Sequence, residues 1–180
     1  MDTTADVSSD VESETGVSWL LGGIVGGLVG AVGLGALWWV TAPNLITTSI
    51  PAMYGLEETT MGGWLIHLAH GATLGIVFGL ILQTGPLAQT LRSEVETPVL
   101  AGLGIGGRVI ATGFVYGIAI WAILPMLVMP LWLGTIGSPD APLAPDVAIE
   151  TLIGHVLFGV ILGAVYAAIV GRSVPEAEGI

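Results

Sequence analysis

The chain has 180 residues, of which 53% are hydrophobic and 9% charged, and its mean hydropathy is +0.91. A soluble domain carries about 25% charged residues, so this chain cannot clothe a water-facing surface. It reads as an all-α integral membrane protein and not as a soluble enzyme. The 14 acidic residues stand against three basic ones, Arg92, Arg108 and Arg172, and the net charge of −11 excludes nucleic-acid binding and polybasic docking on anionic lipid.

There is no Lys, and an acidic exterior of this kind stays hydrated when salt screens its repulsion. That composition predicts a salt-accumulating halophile as the source. The absence of Cys excludes disulfides, thiolate metal sites and Cys nucleophiles. Residues 1–16 carry Asp2, Asp6, Asp10, Glu12 and Glu14 with no basic residue, which is unlike the positive start of a secretory signal. They read as a disordered acidic tail. Residues 172–180 read as a short acidic tail at the other end.

Four apolar segments follow in chain order within residues 17–171. The first covers Val17 to Ala42 and the second Gly62 to Gln83. The third runs from Pro98 to about Leu133, roughly 54 Å as one helix at 1.5 Å per residue, against a hydrocarbon core of about 30 Å. Pro125 and Pro130 are expected to end or kink it, which leaves Gly104 to Leu124 as the spanning part. The fourth covers Val147 to Gly171. The expectation is therefore a four-helix transmembrane bundle in the cell membrane. Arg92, between the second and third segments, and Arg172, after the fourth, fall on one side, so the positive-inside rule places both termini in the cytoplasm. Arg108 fits as an interfacial anchor that snorkels. The outer connections are then Pro43 to Met61 and Pro125 to Asp146, both rich in Pro.

The sequence also carries an internal repeat. Gly35, Trp39 and Pro43 recur 82 residues later as Gly117, Trp121 and Pro125, and Gly75 and Gly79 recur 84 residues later as Gly159 and Gly163. His70 and His155 are 85 apart. Two helical hairpins, residues 17–83 and 98–171, are expected to be related by a pseudo-twofold along the membrane normal.

The 28 glycines include many pairs four apart, such as Gly22 and Gly26, Gly23 and Gly27, Gly75 and Gly79, Gly113 and Gly117, and Gly159 and Gly163. Such spacing smooths one helix face and lets backbones approach in lipid. A groove for a flat cofactor or a lipid tail is the functional alternative. Trp38, Trp39, Trp64, Trp121 and Trp132 fall near the outer helix ends and read as an aromatic belt. Glu57, Glu58, Asp140 and Asp146 read as a solvated acidic face.

His67, His70 and His155 are the candidate site. His67 and His70 are three apart and share a helix face, and His70 and His155 fall roughly 12 Å inside the outer ends of their helices. Ionisable residues at membrane depth default to a functional hypothesis. One reading is neutral imidazole bonding a carbonyl or hydroxyl on another helix, with Thr73, Thr112 and Thr151 as partners. A second is bis-His ligation of a haem b by His70 and His155. A third is a proton or quinone site using His67, His155 and Glu150. A zinc site is disfavoured, since the i, i+4 ligand pair is absent.

No catalytic motif emerges. There is no P-loop and no Gly-x-Ser-x-Gly elbow, and Gly102, Gly104 and Gly107 match Gly-x-Gly-x-x-Gly without any βαβ context. Trp64-Leu-Ile-His67-Leu-Ala-His70-Gly-Ala-Thr-Leu-Gly75-Ile-Val-Phe-Gly79 and Gly154-His155-Val-Leu-Phe-Gly159-Val-Ile-Leu-Gly163-Ala-Val-Tyr166 resemble small multi-span haloarchaeal membrane proteins of uncharacterised function. The resemblance covers both hairpins and implies the membrane fold and a halophilic source. Proteins of that group often carry a histidine-kinase label, but this sequence has no ATP-binding domain, and no activity is carried over. The leading expectation is a non-enzymatic accessory or structural subunit of a membrane assembly, with other membrane subunits or further copies of itself as partners. The alternatives are a haem b or quinone-interacting electron-transfer subunit, and a small channel or transporter.

Overall fold

The computed structural model describes residues 3–84, 102–137 and 149–172, and the described residues are helical with no strand. Helix α1 covers Thr3–Thr41. It thus begins inside the stretch read from sequence as an acidic tail, and its apolar part is Val17–Thr41. A π-helical turn, Leu45–Ser49, leads into the short α2, Ile50–Ala52. Helix α3 covers Thr60–Gln83 and α4 covers Ile105–Ile123. A second π-helical turn, Leu124–Val128, joins α4 to α5, Met129–Thr135, and α6 covers Ile149–Arg172. The Arg92 connection, the start of the third segment at Pro98, the Ser138-Pro139-Asp140 stretch and the residues after Arg172 lie outside the described residues.

Four of these helical stretches are long and apolar enough to cross a bilayer: Val17–Thr41, Thr60–Gln83, Ile105–Thr135 and Ile149–Gly171. The sequence reading ends the third span near Pro125, but the helical path continues to Thr135. Proline lacks an N–H and clashes with the carbonyl one turn back. The wider π turn at Leu124–Val128 takes up the extra residue and lets the helix resume. The stretch from Pro43 to the start of α3 is likewise not an open loop. Its π turn folds back on the start of α3, with the Thr59 amide donating to the Thr47 carbonyl at 3.0 Å. Ile46 is fully buried there, and a Cβ on Gly63 would collide with the Ile46 carbonyl. Thr59 caps α3, its Oγ1 accepting from the Gly62 amide at 3.2 Å.

Three helix seams bring backbones close. In the α1–α3 seam, a Cβ on Gly27 would run into the Gly71 carbonyl and one on Gly75 into the Gly23 carbonyl. In the α4–α6 seam, Gly113 and Gly159 face each other the same way, and Gly163 meets the Val109 carbonyl. In the α1–α6 seam, Gly22, Gly26 and Gly30 receive Tyr166, Leu162 and Phe158. The α3 and α4 helices do not pack along their lengths. Tyr116 reaches between them: its hydroxyl donates to the Leu74 carbonyl at 2.8 Å, and its ring lies 5.2 Å from Phe78. Phe78, Leu162 and Ala31 are fully buried at the centre.

Candidate functional site

The open side of the bundle contains a cavity of about 600 Å³. This falls within the ~300–1,000 Å³ typical of small-molecule sites. Helix α3 supplies His67, His70 and Leu74 to its wall, and α6 supplies His155 and Phe158. Helix α1 supplies Trp38 and Leu34. The segments that follow α1 and α4 close it with Tyr54, Met53 and Ser49 on one side and with Met129 and Trp132 on the other. Most of the wall is hydrocarbon and aromatic, and the polar groups are few.

The three histidines sit in different settings. His67 is buried, and its Nε2–H donates to the Ala31 carbonyl on α1 at 2.9 Å. His155 is buried, and its Nδ1–H donates to the Thr151 carbonyl one turn earlier at 2.7 Å. That bond leaves Nε2 as the acceptor nitrogen, and Nε2 has no hydrogen-bond partner among the described residues. His70 is half-buried, with Nε2 bonded to the Tyr54 hydroxyl at 2.5 Å.

Trp38 joins two of them. Its ring centroid lies 5.6 Å from that of His67 and 5.5 Å from that of His155. Its Nε1 is buried with no hydrogen-bond partner among the described residues, beside the bare Cα of Gly154. Trp38 therefore departs from the aromatic belt expected from sequence: it is a core residue at 7% exposure. Trp39 is exposed, with its ring tilted against Trp64 at a centroid distance of 6.2 Å.

The structure brings His67 and His155 together through Trp38, whereas His70 turns toward Tyr54. The three Thr residues expected as hydroxyl partners do not serve the histidines in that way. Thr73 and Thr112 donate back to their own helices, at Ala69 and Arg108. The Thr151 hydroxyl accepts from Trp121 Nε1 at 3.1 Å. Glu150 is exposed in the first turn of α6. Arg108 Nε donates to the Leu103 carbonyl at 3.1 Å.

Sequence reasoning did not find Tyr54, Trp38 or Tyr116. Tyr54 lies in a stretch read as a loop, and its approach to His70 depends on the π turn folding back. Trp38 and Trp39 are adjacent, and adjacent residues on a helix point about 100° apart. The two therefore face different surroundings, and that was the available signal that they need not share one role. Trp132 Nε1 donates to the Met53 carbonyl at 2.6 Å, tying the two outer segments together over the cavity. No group of three or more His, Cys, Asp or Glu residues with metal-site geometry occurs among the described residues. No protein-family model, curated protein or solved structure matches the chain.

Proposed function

We propose that this chain is a non-enzymatic multi-pass membrane subunit that binds a lipophilic ring compound of the quinone class in the cavity walled by α1, α3, α6 and the segments that follow α1 and α4. The observation that carries the reading is the cavity itself: a largely apolar chamber lined by His67, His70, His155 and Tyr54. A quinone needs an apolar slot for its ring and a hydrogen-bonding group for each carbonyl. The Tyr54–His70 pair supplies a group at the outer end. His155 supplies one deeper in, since either of its tautomers presents a ring nitrogen once the Thr151 bond is satisfied or released. Trp38 and Trp132 offer flat walls.

The haem b alternative asks for two imidazoles whose free nitrogens address one iron from opposite sides. Nε2 of His67 and Nε2 of His70 are already engaged, and the Trp38 indole fills the space beside both His67 and His155. These contacts favour the quinone over the porphyrin. The two hairpins, the membrane setting, the cytoplasmic termini and the halophilic source belong to the same reading. The facing glycines support close helix packing as the reason for so much glycine.

The experiment is titration of purified protein, in detergent at high salt, with decylubiquinone and with a short-tailed menaquinone analogue, read by quenching of Trp fluorescence. Saturable quenching, weakened at least tenfold in His155→Ala, is the expected result. Non-saturable quenching identical in both proteins would overturn the reading. A reduced-minus-oxidised absorbance spectrum on the same sample decides the alternative, because a sharp α-band lost in His155→Ala belongs to haem.

A further inference from the structure

The cavity has a cause in the sequence, and the cause identifies how a ligand reaches it. The α1–α3 and α4–α6 seams are built alike. Gly27, Gly71 and Gly75 make the same set of close approaches as Gly113, Gly159 and Gly163: each first glycine meets the carbonyl of the second and the Cα of the third. This correspondence runs at 86 residues between α1 and α4 and at 88 between α3 and α6. It makes His67, four residues before Gly71, the counterpart of His155, four before Gly159.

A bundle of two equivalent hairpins should repeat the α1–α6 seam as an α3–α4 seam. At α1–α6, Gly22, Gly26 and Gly30 accept Tyr166, Leu162 and Phe158. The corresponding residues of α4 are Arg108, Thr112 and Tyr116, set against Phe78, Leu74 and His70 of α3. Three glycines are thus replaced by side chains, the outermost by a tyrosine. A helical side chain leans toward the N-terminus of its own helix, and Tyr116 accordingly reaches Leu74 and Phe78 rather than His70. The ring props the helices apart and leaves the space outward of it vacant. That space is the cavity, walled by His70, Thr73 and Leu74 of α3 and by Leu124 and Val128 beyond α4.

We propose that Tyr116 is the wedge that breaks the twofold and that the resulting α3–α4 seam is a lateral portal. Through it a lipid-dissolved ring compound passes from the outer half of the bilayer, leaving its hydrocarbon tail in the seam. The tail-bearing ligand class rests on the quinone reading, and the wedge does not. The residues bordering the seam, Val77 on α3 and Val115 on α4, are exposed and apolar, which suits a tail and adjacent acyl chains. Tyr116 is a positioning residue that sets the width of the opening.

The test uses the absence of Cys from the chain. One pair of spin labels, at Thr73→Cys and Val115→Cys, reports the α3–α4 seam. Its counterpart, at Ile161→Cys and Val29→Cys, reports α1–α6. The expected result in nanodiscs is a separation larger by several ångströms across α3–α4, shrinking toward the α1–α6 value in Tyr116→Gly and unchanged in Tyr116→Phe. Equal separations in the wild-type background would overturn the wedge without any variant needing to fold. Decylubiquinone titrated into the same samples separates the two ideas: unequal separations with no saturable binding retire the quinone and keep the wedge. Binding undiminished in a Tyr116→Gly protein whose seam has closed would overturn the portal. The expected loss on closure is at least tenfold.

Discussion

His67 and His155 both rest against the indole of Trp38, with ring centroids 5.6 and 5.5 Å away, and each spends one ring nitrogen on a backbone carbonyl, Ala31 on a neighbouring helix for one and Thr151 on its own helix for the other. The difference between those bonds has a measurable consequence. The His67 bond ties α3 to α1, and its loss removes an interhelical bond at a buried position. His67→Ala is expected to lower the unfolding free energy in detergent by about 1–2 kcal/mol, within the range of interhelical hydrogen bonds in membranes. His70→Ala breaks a bond to the exposed Tyr54 and is expected to stay within about 0.5 kcal/mol of wild type. Denaturation in mixed micelles of increasing SDS fraction orders the variants, and a more damaging His70→Ala would contradict the assignment of His67 as the structural member.

Glycine substitutions should sort by seam and not by helix position. A Cβ on Gly27 or Gly113 meets backbone atoms, which cannot rotate away. Gly27→Val and Gly113→Val are each expected to cost about 1–3 kcal/mol, the usual penalty of overpacking. Gly134 lies in α5 with open space around it, and Gly134→Ala should instead gain up to about 1 kcal/mol through lower unfolded-chain entropy. The same SDS titration reads all three. A neutral Gly113→Val would mean that α4 and α6 do not approach as described.

The four apolar spans could be read from sequence because a bilayer imposes a length and a composition, and Val17–Thr41, Thr60–Gln83 and Ile149–Gly171 fall within a few residues of the expected boundaries. The third span and the outer stretches were harder to read. Proline was expected to end or kink the third helix, and π turns carry the chain past Pro125 and fold Leu45–Ala52 back on α3. The repeat expected from sequence illustrates a second limit. Matching letters gives spacings of 82 to 85, but contacts between carbonyls and glycines give 86 and 88. Backbone approach depends on which glycine lies opposite which, and a single chain does not print that register. The histidine cluster was visible as a cluster, but Trp38 and Tyr54, which decide where each imidazole points, were not.

Topology gives a test independent of any ligand. Glu57 lies in the connection between α1 and α3, and Thr84 lies at the opposite end of α3. With cytoplasmic termini, a Glu57→Cys protein in intact cells should react with a membrane-impermeant maleimide, while Thr84→Cys should react only after permeabilisation. The reversed pattern would put the histidine cavity in the inner half of the membrane and the Tyr116 portal with it.

Trp38→Phe probes the centre of the site. The indole Nε1 is buried with no partner among the described residues, so the N–H brings a desolvation cost of about 1–3 kcal/mol that phenylalanine avoids. Against this stands the volume lost on going from indole to phenyl, which leaves a small void beside Gly154 and costs in the opposite sense. The two effects are of similar size, and Trp38→Phe is expected to match wild type within about 1 kcal/mol. Trp38→Ala, which removes the ring from both histidines, should cost about 3–5 kcal/mol. Quinone affinity should change less than threefold in Trp38→Phe, because the flat wall remains and Nε1 points at Gly154. If Trp38→Phe proved as damaging as Trp38→Ala, the indole N–H would have to be bonded in the membrane to a group that occupies the site, and that group would become the first thing to identify.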